Sequence, residues 1–502
     1  MRRAMTRFLT PATGAFGLGL LMALGQVPYS IWPLGLGALI GLTWLVARAK
    51  TPLAAARCAW AGGAGHFALS LSWIVEPFLV DIARHGWMAP FALGAMAGGL
   101  ALFWGAAGAV AVWAGRGPRG RALIFAVAMA GVELARGYVL TGFPWALVGH
   151  IWIGTPLMQV AAFVGQYGLT LFTTLAAALP LVLPIGPLRA VGAALSLAIL
   201  SLVWLGGHIR EVRPLPPAPD APVVRLVQPN AAQHLKWRED MIPIFWDRAL
   251  AFTADGTDPA PDLVVWPETS VPVLLNWADT AFATISEAAG GRPAVVGIQR
   301  HGEGGVYNSL AVVGPGGVAT DVYDKHHLVP FGEYIPFAPL LGRFGIKGLA
   351  AEDVFGYASG PGPQVLNLGD RLGNVLPLIC YEAVFPQDLR AGSRPDWLLQ
   401  ITNDAWFGTR TGPYQHLGLA RLRAVEQGLA MVRSANTGVS AVIGPTGMVT
   451  ASLGLGTAGV LTAPLPPALP ETVYSKTGDW PVAVLILLAF SVLVAGRFRN
   501  SD

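Results

Sequence analysis

A multi-span α-helical membrane domain joined to a layered α/β domain is the fold class that this 502-residue sequence predicts. Two observations carry that reading. Hydrophobic residues make up 53% of the chain and charged ones 12%, against roughly 25% charged in soluble proteins, and the charge-poor sequence lies at the two ends. Residues 1–209 hold 12 Lys/Arg and 3 Asp/Glu, and the stretch from Trp480 holds 2 basic residues and 1 acidic. Between them, from about Pro222 to Pro467, short β-rich runs punctuated by Gly and Pro replace the long apolar stretches.

Residues 8–47 contain no Asp, Glu, Lys or Arg, which is enough for two helices of about 20 residues each. They join at Gln26-Val-Pro-Tyr-Ser-Ile-Trp-Pro33 as a helical hairpin. Further spans are centred in Cys58–Val75, Trp87–Gly115, Ala122–Leu140, Leu157–Leu183, Ala190–Ile209 and Trp480–Gly496. Eight spans result, seven in a membrane domain over 1–209 and one C-terminal transmembrane helix over 480–496. Glu133 and Arg136 interrupt the fifth, either as a local ion pair near the outer interface or as a contact for a phospholipid headgroup. Gly142–Thr155 reads as an interfacial loop rather than a span.

The Lys/Arg distribution orients these spans, because cytoplasmic loops carry the excess of positive charge. Arg2, Arg3 and Arg7 precede span one, Arg48, Lys50 and Arg57 separate two from three, and Arg116, Arg119 and Arg121 separate four from five. Arg189 lies between six and seven, and Arg497 and Arg499 follow eight, whereas the alternate loops carry only Arg84 and Arg136. Both termini are therefore expected in the cytoplasm and the block between spans seven and eight on the opposite side. Because span two follows span one immediately, no signal peptide is required.

The Pro-rich stretch at 210–221 reads as an extended linker into an α/β domain over 222–468. Strands are expected at Val223–Val227, Leu263–Trp266, Ala294–Ile298, Ser309–Val313, Val375–Ile379, Trp397–Ile401 and Val439–Ile443, and helices at Ile242–Phe252 and His416–Val432. Between Arg210 and Asp479 stand 19 basic and 25 acidic residues, a net charge of −6, although the whole chain carries +4. A nucleic-acid-binding face should be basic, so no nucleic-acid partner is expected. The two cysteines, Cys58 and Cys380, lie far apart along the chain and build no disulfide framework, which makes Cys380 a free thiol.

Chemistry concentrates where apolar runs end. Cys380 closes Val375-Leu-Pro-Leu-Ile-Cys380 beside Glu382, Glu268 ends Leu263-Val-Val-Trp-Pro-Glu268, and Lys325 follows a third run. A buried cysteine taken alone is usually a core residue, Glu268 alone a turn carboxylate, and Lys325 alone a solvated charge. Together they supply a thiol, a base to deprotonate it and a cation, with Lys325 and the Tyr381 amide as donors to a tetrahedral oxyanion. His326 and His327 are adjacent and should point apart, and no third ligand stands at zinc spacing, so neither a metal nor another cofactor is expected. Glu426 with Arg423 and Arg433 fits a salt-bridged helix face.

The segments Pro-Asp-Leu-Val-Val-Trp-Pro-Glu268-Thr, Tyr-Asp-Lys325-His-His-Leu-Val-Pro-Phe-Gly-Glu333-Tyr and Leu-Ile-Cys380-Tyr-Glu382, in that order, resemble the nitrilase (carbon–nitrogen hydrolase) superfamily. Its members place a Glu-Lys-Cys triad on an α-β-β-α sandwich. With the flanking spans, and with Gln228-Pro-Asn, Leu235-Lys-Trp237, Tyr307-Asn-Ser, Thr402-Asn-Asp-Ala-Trp-Phe-Gly408 and Gly412-Pro-Tyr-Gln-His416, nearly the whole chain is similar to the apolipoprotein N-acyltransferase family of the bacterial inner membrane.

The resemblance implies Glu268 as general base, Lys325 as oxyanion stabiliser and Cys380 as the acyl-accepting nucleophile, with Glu333 and Glu382 as additional carboxylates. Trp237, Tyr381, Trp406 and Phe407 are apolar or aromatic walls of the site. The implied reaction moves a fatty acyl chain from a phospholipid, expected to be phosphatidylethanolamine, through a Cys380 thioester to the α-amine of a diacylglyceryl apolipoprotein, with the catalytic domain in the periplasm. The stretch Phe344-Gly-Ile-Lys-Gly-Leu-Ala-Ala with Val354-Phe-Gly-Tyr is read either as a lipid-facing flap or as a surface loop. Two rival readings are a membrane-tethered amidase with water as acceptor and a catalytically dead lipid-binding or transport protein.

Overall fold

The structure is a computed structural model that describes residues 11–183, 187–212, 215–256, 258–336 and 356–499. The stretches 344–351 and 354–355, where a flap is expected, lie outside the described residues. The chain divides into two compact units, Met1–Arg213 with Thr472–Asp502 and Pro214–Glu471.

In the first unit long helices stand at each of the eight predicted spans: Pro11–Ala23, Trp32–Ala47, Pro52–Ser70, Ala89–Ala114, Gly117–Tyr138, Ala161–Val182, Pro187–Glu211 and Trp480–Arg499. Several open with Pro in the first turn, where its missing N–H leaves nothing unsatisfied, and Thr51 caps the third by accepting from the Ala54 amide at 3.1 Å. Among the described residues two helical stretches, Ile82–Ala114 and Pro156–Val182, are long and apolar enough to cross a membrane; Pro11–Ala23 and Trp32–Ala47 are apolar but shorter.

Gly142–Thr155 is loop and short 3-10 turns rather than a span, as expected. Trp145, Leu147, Ile151 and Trp152 are buried within the helical unit, and Glu133 and Arg136 explain why. Arg136 donates to Glu133 at 3.0 Å and to the carbonyls of Phe143 and Trp145, while Glu133 accepts from Trp104 Nε1 at 2.8 Å and from the Val148 amide at 3.3 Å. A buried ion pair must have its remaining donors and acceptors satisfied. This pair is satisfied by the loop backbone, a structural use, and that favours the local ion pair over a headgroup contact.

The second unit contains two six-stranded sheets. The first has the order β12-β1-β2-β3-β4-β5, with β1 Val223–Gln228, β2 Leu263–Val265, β3 Ala294–Gly302, β4 Gly305–Val313, β5 Ala319–Asp324 and β12 Gly459–Pro464. The second has the order β11-β10-β9-β8-β7-β6, with β6 Leu366–Asn367, β7 Asn374–Ile379, β8 Trp397–Thr402, β9 Met431–Ala435, β10 Ser440–Ile443 and β11 Val449–Leu453. The central pairs β1/β2, β2/β3, β7/β8 and β8/β9 are parallel and their flanking pairs antiparallel. Parallel strands need both faces covered, which is why their sequences are almost continuously apolar.

Helices Ile242–Thr253 and Asp279–Ala288 cover one face of the first sheet through Ala249, Phe282 and Ile285 against Val264, Trp266 and Val296. Helix Gly412–Gln427 covers the second sheet through Ala420 and Ala424 against Leu376, Leu398 and Met431. The other two faces meet each other, with Ser434 donating to the carbonyls of Val227 and Val265, so the layers run α-β-β-α. The helix expected over His416–Val432 ends at Gln427, because Gly428 takes a left-handed C-cap (φ +65°) and Met431 already belongs to β9.

Candidate active site

Strands β2, β5 and β7 deliver the reactive side chains. Just after β2 the chain turns at Pro267 and presents Glu268, and Thr269 takes a left-handed conformation at φ +46°. This turn lies directly over β3 at Gly297. A Cβ there would stand 2.5 Å from both the Pro267 carbonyl and the Thr269 nitrogen, closer than non-bonded carbon approaches either atom. Lys325 follows β5, its own amide donating to the Asn308 carbonyl at 2.9 Å. Cys380 follows β7 in a left-handed conformation, φ +53°, which a non-glycine residue adopts only when its surroundings enforce it.

The Lys325 ammonium lies 2.8 Å from Glu333 Oε1 and 3.5 Å from Glu268 Oε1. The Asn308 amide joins the two carboxylates, donating to Glu268 Oε1 at 2.7 Å and to Glu333 Oε1 at 3.2 Å. Main-chain amides hold the far oxygens: Asn403 donates to Glu268 Oε2 and Val329 to Glu333 Oε2, each at 2.8 Å. All four side chains are buried. Two carboxylates would repel at this separation, and the shared cation and the shared amide hold them together.

Burial works against the Lys325 ammonium, but Glu333 and then Glu268 outweigh it and keep the lysine charged well above its ordinary range. Cys380 is displaced in the opposite sense to a reactive thiolate. Burial pushes its thiol far up and the Glu268 carboxylate adds to that, against the opposing pull of Lys325. The resting state is therefore a neutral thiol beside a carboxylate and an ammonium, and the thiol becomes a nucleophile only as its proton leaves.

Glu382 lies two residues beyond Cys380, in the same short 3-10 turn, and is fully buried. Its oxygens accept from the amides of Ile379 at 2.7 Å, His326 at 2.8 Å and His327 at 3.3 Å, and from the Tyr323 hydroxyl at 3.0 Å. It thus ties the turn at Cys380 to the segment after Lys325. The two histidines do not point apart. His326 Nδ1 reaches Glu382 at 2.7 Å, and both rings approach Asp388, at 3.6 Å from His326 and 2.8 Å from His327. The chain bends after His326 to bring them there, and although burial opposes it, the Asp388 and Glu382 carboxylates raise His326 to about 10.

The aromatic residues divide. Tyr381 turns its ring onto His327 and Phe385, and Phe407 stands edge-on to His416 at 5.4 Å. Trp406 is half-buried. Trp237 is 46% exposed and lines a cavity with Ile242, Phe245, Trp246, Lys236 and Glu268. Lys236, which the sequence reading left unassigned, stands beside Glu268. Its buried ammonium donates to the Glu268 carbonyl at 3.2 Å and to Thr269 Oγ1 at 2.9 Å, and burial lowers it to about 8. Asn308 and Asn403 were missed as well, although both sit in quoted segments, because an asparagine's partners cannot be read from its neighbours along the chain.

Arg433 also departs from its reading. Arg423 and Glu426 form the expected pair on the helix at 3.1 Å, fully buried, while Arg433 pairs with Asp404 instead.

Among known proteins, a family model described as the apolipoprotein N-acyltransferase N-terminal domain matches residues 18–179, and one described as carbon-nitrogen hydrolase matches residues 224–473. The apolipoprotein N-acyltransferase of Caulobacter vibrioides is 39% identical over 96% of this chain and 93% of its own length. That of Rhodopseudomonas palustris is 36% identical over 95% and 93%, and that of Brucella melitensis 35% over 100% and 96%.

Proposed function

The chain belongs to the apolipoprotein N-acyltransferase family, and we propose that it acylates lipoproteins in two steps through a thioester on Cys380. It is an N-acyltransferase of lipoprotein maturation. The observation that carries the mechanism is the buried set of neutral thiol, carboxylate and ammonium at Cys380, Glu268 and Lys325.

In the first step Glu268 takes the Cys380 proton as the sulfur attacks an ester carbonyl of a phospholipid, phosphatidylethanolamine by resemblance. The oxygen charge that develops is met by the buried Lys325 ammonium and by the Tyr381 amide, the main-chain donor that follows the thiol. The carbon–oxygen bond breaks, Glu268 returns the proton to the lysophospholipid, and the acyl group remains on sulfur. In the second step the α-amine of a diacylglyceryl cysteine attacks the thioester and loses a proton to Glu268. The carbon–sulfur bond breaks, and the proton passes back to Cys380.

Glu333 supports this chemistry by holding Lys325 charged, and Glu382 by holding the turn that carries Cys380. Trp237, Trp406 and Phe407 are proposed as apolar walls for the lipid substrates. The eight long helices are proposed as membrane spans, with the N- and C-termini cytoplasmic and the catalytic domain periplasmic. The Lys/Arg asymmetry supports that orientation, and a bilayer location suits two substrates whose chains each gain about 0.8 kcal/mol per buried CH₂.

The test is to incubate the purified full-length protein with phospholipid labelled in its acyl chain and follow the label. Wild type should acquire a hydroxylamine-labile acyl group, lost in Cys380→Ala, that moves to an added diacylglyceryl peptide. An unlabelled wild type, or a label that survives in Cys380→Ala, overturns the mechanism.

A further inference from the structure

Beneath helix Gly412–Gln427, on the face of the second sheet turned away from the first, four fully buried polar side chains meet: Gln400 on β8, Arg433 on β9, Asp404 just after β8 and His416 in the helix. The mechanism above uses none of them. Gln400 and Arg433 face each other in register across β8 and β9.

Their partners fix the direction of every bond. Arg433 donates to Gln400 Oε1 and to Asp404 Oδ2. With its oxygen committed, Gln400 turns its amide nitrogen the other way, 3.0 Å from His416 Nε2 and 3.0 Å from the Cys380 carbonyl oxygen. His416 Nδ1 is 2.9 Å from Asp404 Oδ1. A carboxylate beside an arginine only accepts, so Nδ1 carries the proton and Nε2 the lone pair that receives Gln400. Burial and the nearby Arg433 favour that neutral imidazole, and the 3.1 Å approach of Nε2 to the Cys380 oxygen is then proximity rather than a bond.

The four side chains therefore close a ring with no net charge. Arg433 donates to Asp404 and Gln400, Gln400 to His416, and His416 to Asp404. The remaining Gln400 N–H leaves the ring for the carbonyl of Cys380, the residue held at φ +53°. Thr402, the last residue of β8, also donates to Asp404 Oδ1 at 3.0 Å. Gly438 closes against the ring so tightly that a Cβ there would stand 2.3 Å from Asp404 Oδ2.

We infer that this ring of Asp404, His416, Gln400 and Arg433 positions the nucleophile, holding the Cys380 carbonyl through Gln400 so that its left-handed backbone aims the sulfur at the acyl carbon. The inference rests on the reading of Cys380 as the acyl carrier. It makes Gln400 and His416 positioning residues for acyl transfer, acting through the Cys380 main chain without touching substrate. The Gln400 donor that leaves the ring ends on the carbonyl of Cys380, the residue proposed to carry the acyl group.

The test compares single-turnover formation of the Cys380 acyl-enzyme from labelled phospholipid in the full-length protein. Gln400→Met keeps the side-chain length and removes the donor. His416→Asn keeps a donor for Asp404 and removes the acceptor for Gln400, and His416→Leu removes both. Misplacing a reacting atom by about 1 Å costs about 100-fold in rate. Gln400→Met should therefore lower the acylation rate by about 100-fold with KM for phospholipid within about 2-fold. His416→Asn should retain more activity than His416→Leu at matched thermal stability.

Wild-type acylation rates in a folded Gln400→Met protein, or rates that follow melting temperature irrespective of the donors retained, would overturn the inference while leaving the thioester mechanism standing. Should Gln400→Met not fold, the two His416 variants carry the same comparison. Failure of the acyl-enzyme to form in wild type would instead remove the catalytic reading itself.

Discussion

The Lys325 ammonium lies closer to Glu333 than to Glu268, 2.8 Å against 3.5 Å. That asymmetry separates two duties within one cluster: Glu333 takes the stronger share of the cation, and Glu268 keeps capacity to accept a proton. Replacing Glu333 with Gln removes the competing anion and moves Lys325 toward Glu268, weakening the base and the oxyanion donor together. Acyl-enzyme formation should fall by about 100-fold or more, the size of losing one preorganised donor. KM for phospholipid should stay near wild type in steady-state assays of the purified variant.

Asn308 is the neutral counterpart of that lysine, one amide bonded to both carboxylates. Asn308→Ala strips a donor from each and should destabilise the protein by about 1–3 kcal/mol. Asn308→Asp keeps the size and adds a third buried negative charge beside two others, so it should be worse than Ala. Urea unfolding of the purified variants, monitored by intrinsic tryptophan fluorescence, orders the two.

Gly297 tests whether the placement of Glu268 depends on backbone contact alone. Ala at this position would push the Pro267–Thr269 turn away from β3. Overpacking of this kind costs about 1–3 kcal/mol, and the larger effect should fall on catalysis because the displaced turn carries the base. Thioester formation should drop far more than the melting temperature implies.

How much of this was legible in the sequence depends on the kind of residue. The apolar runs at β1, β2, β3, β4, β7, β8 and β10 announced strands because both their faces are covered. β5 reads Ala319-Thr-Asp-Val-Tyr-Asp324, partly exposed and so without the apolar run expected before Lys325, and β11, Val449-Thr-Ala-Ser-Leu453, is partly exposed as well. β9 was absorbed into the preceding helix, since the intervening Gly428 and the apolar residues after it do not by themselves say where a helix ends.

In the site, Glu268, Lys325, Glu333 and Cys380 were visible because each stands in a distinctive local text. Gln400 and Arg433 were not, although a polar residue inside an almost wholly apolar strand is itself a signal, since burying it demands a partner. The partners, Asp404 and His416, come from other elements, and only the fold brings the four together.

The Glu382 cluster gives the pH prediction. His326 is raised from its ordinary 6.5 to about 10, with burial opposing and the nearby Asp388 and Glu382 carboxylates prevailing. A histidine whose folded value exceeds its unfolded one binds its proton more tightly in the native state. Its contribution to stability is complete below about pH 6.5 and is lost as pH rises through about 10. Wild type should therefore lose stability progressively between pH 7 and 10, and His326→Gln, which cannot titrate, should lose less over the same interval. Melting temperatures of the two proteins, taken across that range at constant ionic strength, measure the difference. Because Glu382 also holds the Ile379 amide at 2.7 Å, loss of the His326 charge loosens an anchor of the nucleophile turn. Acyl-enzyme formation should fall in step with stability in wild type, and equal pH slopes in the two proteins would show that the His326 proton does not stabilise this turn.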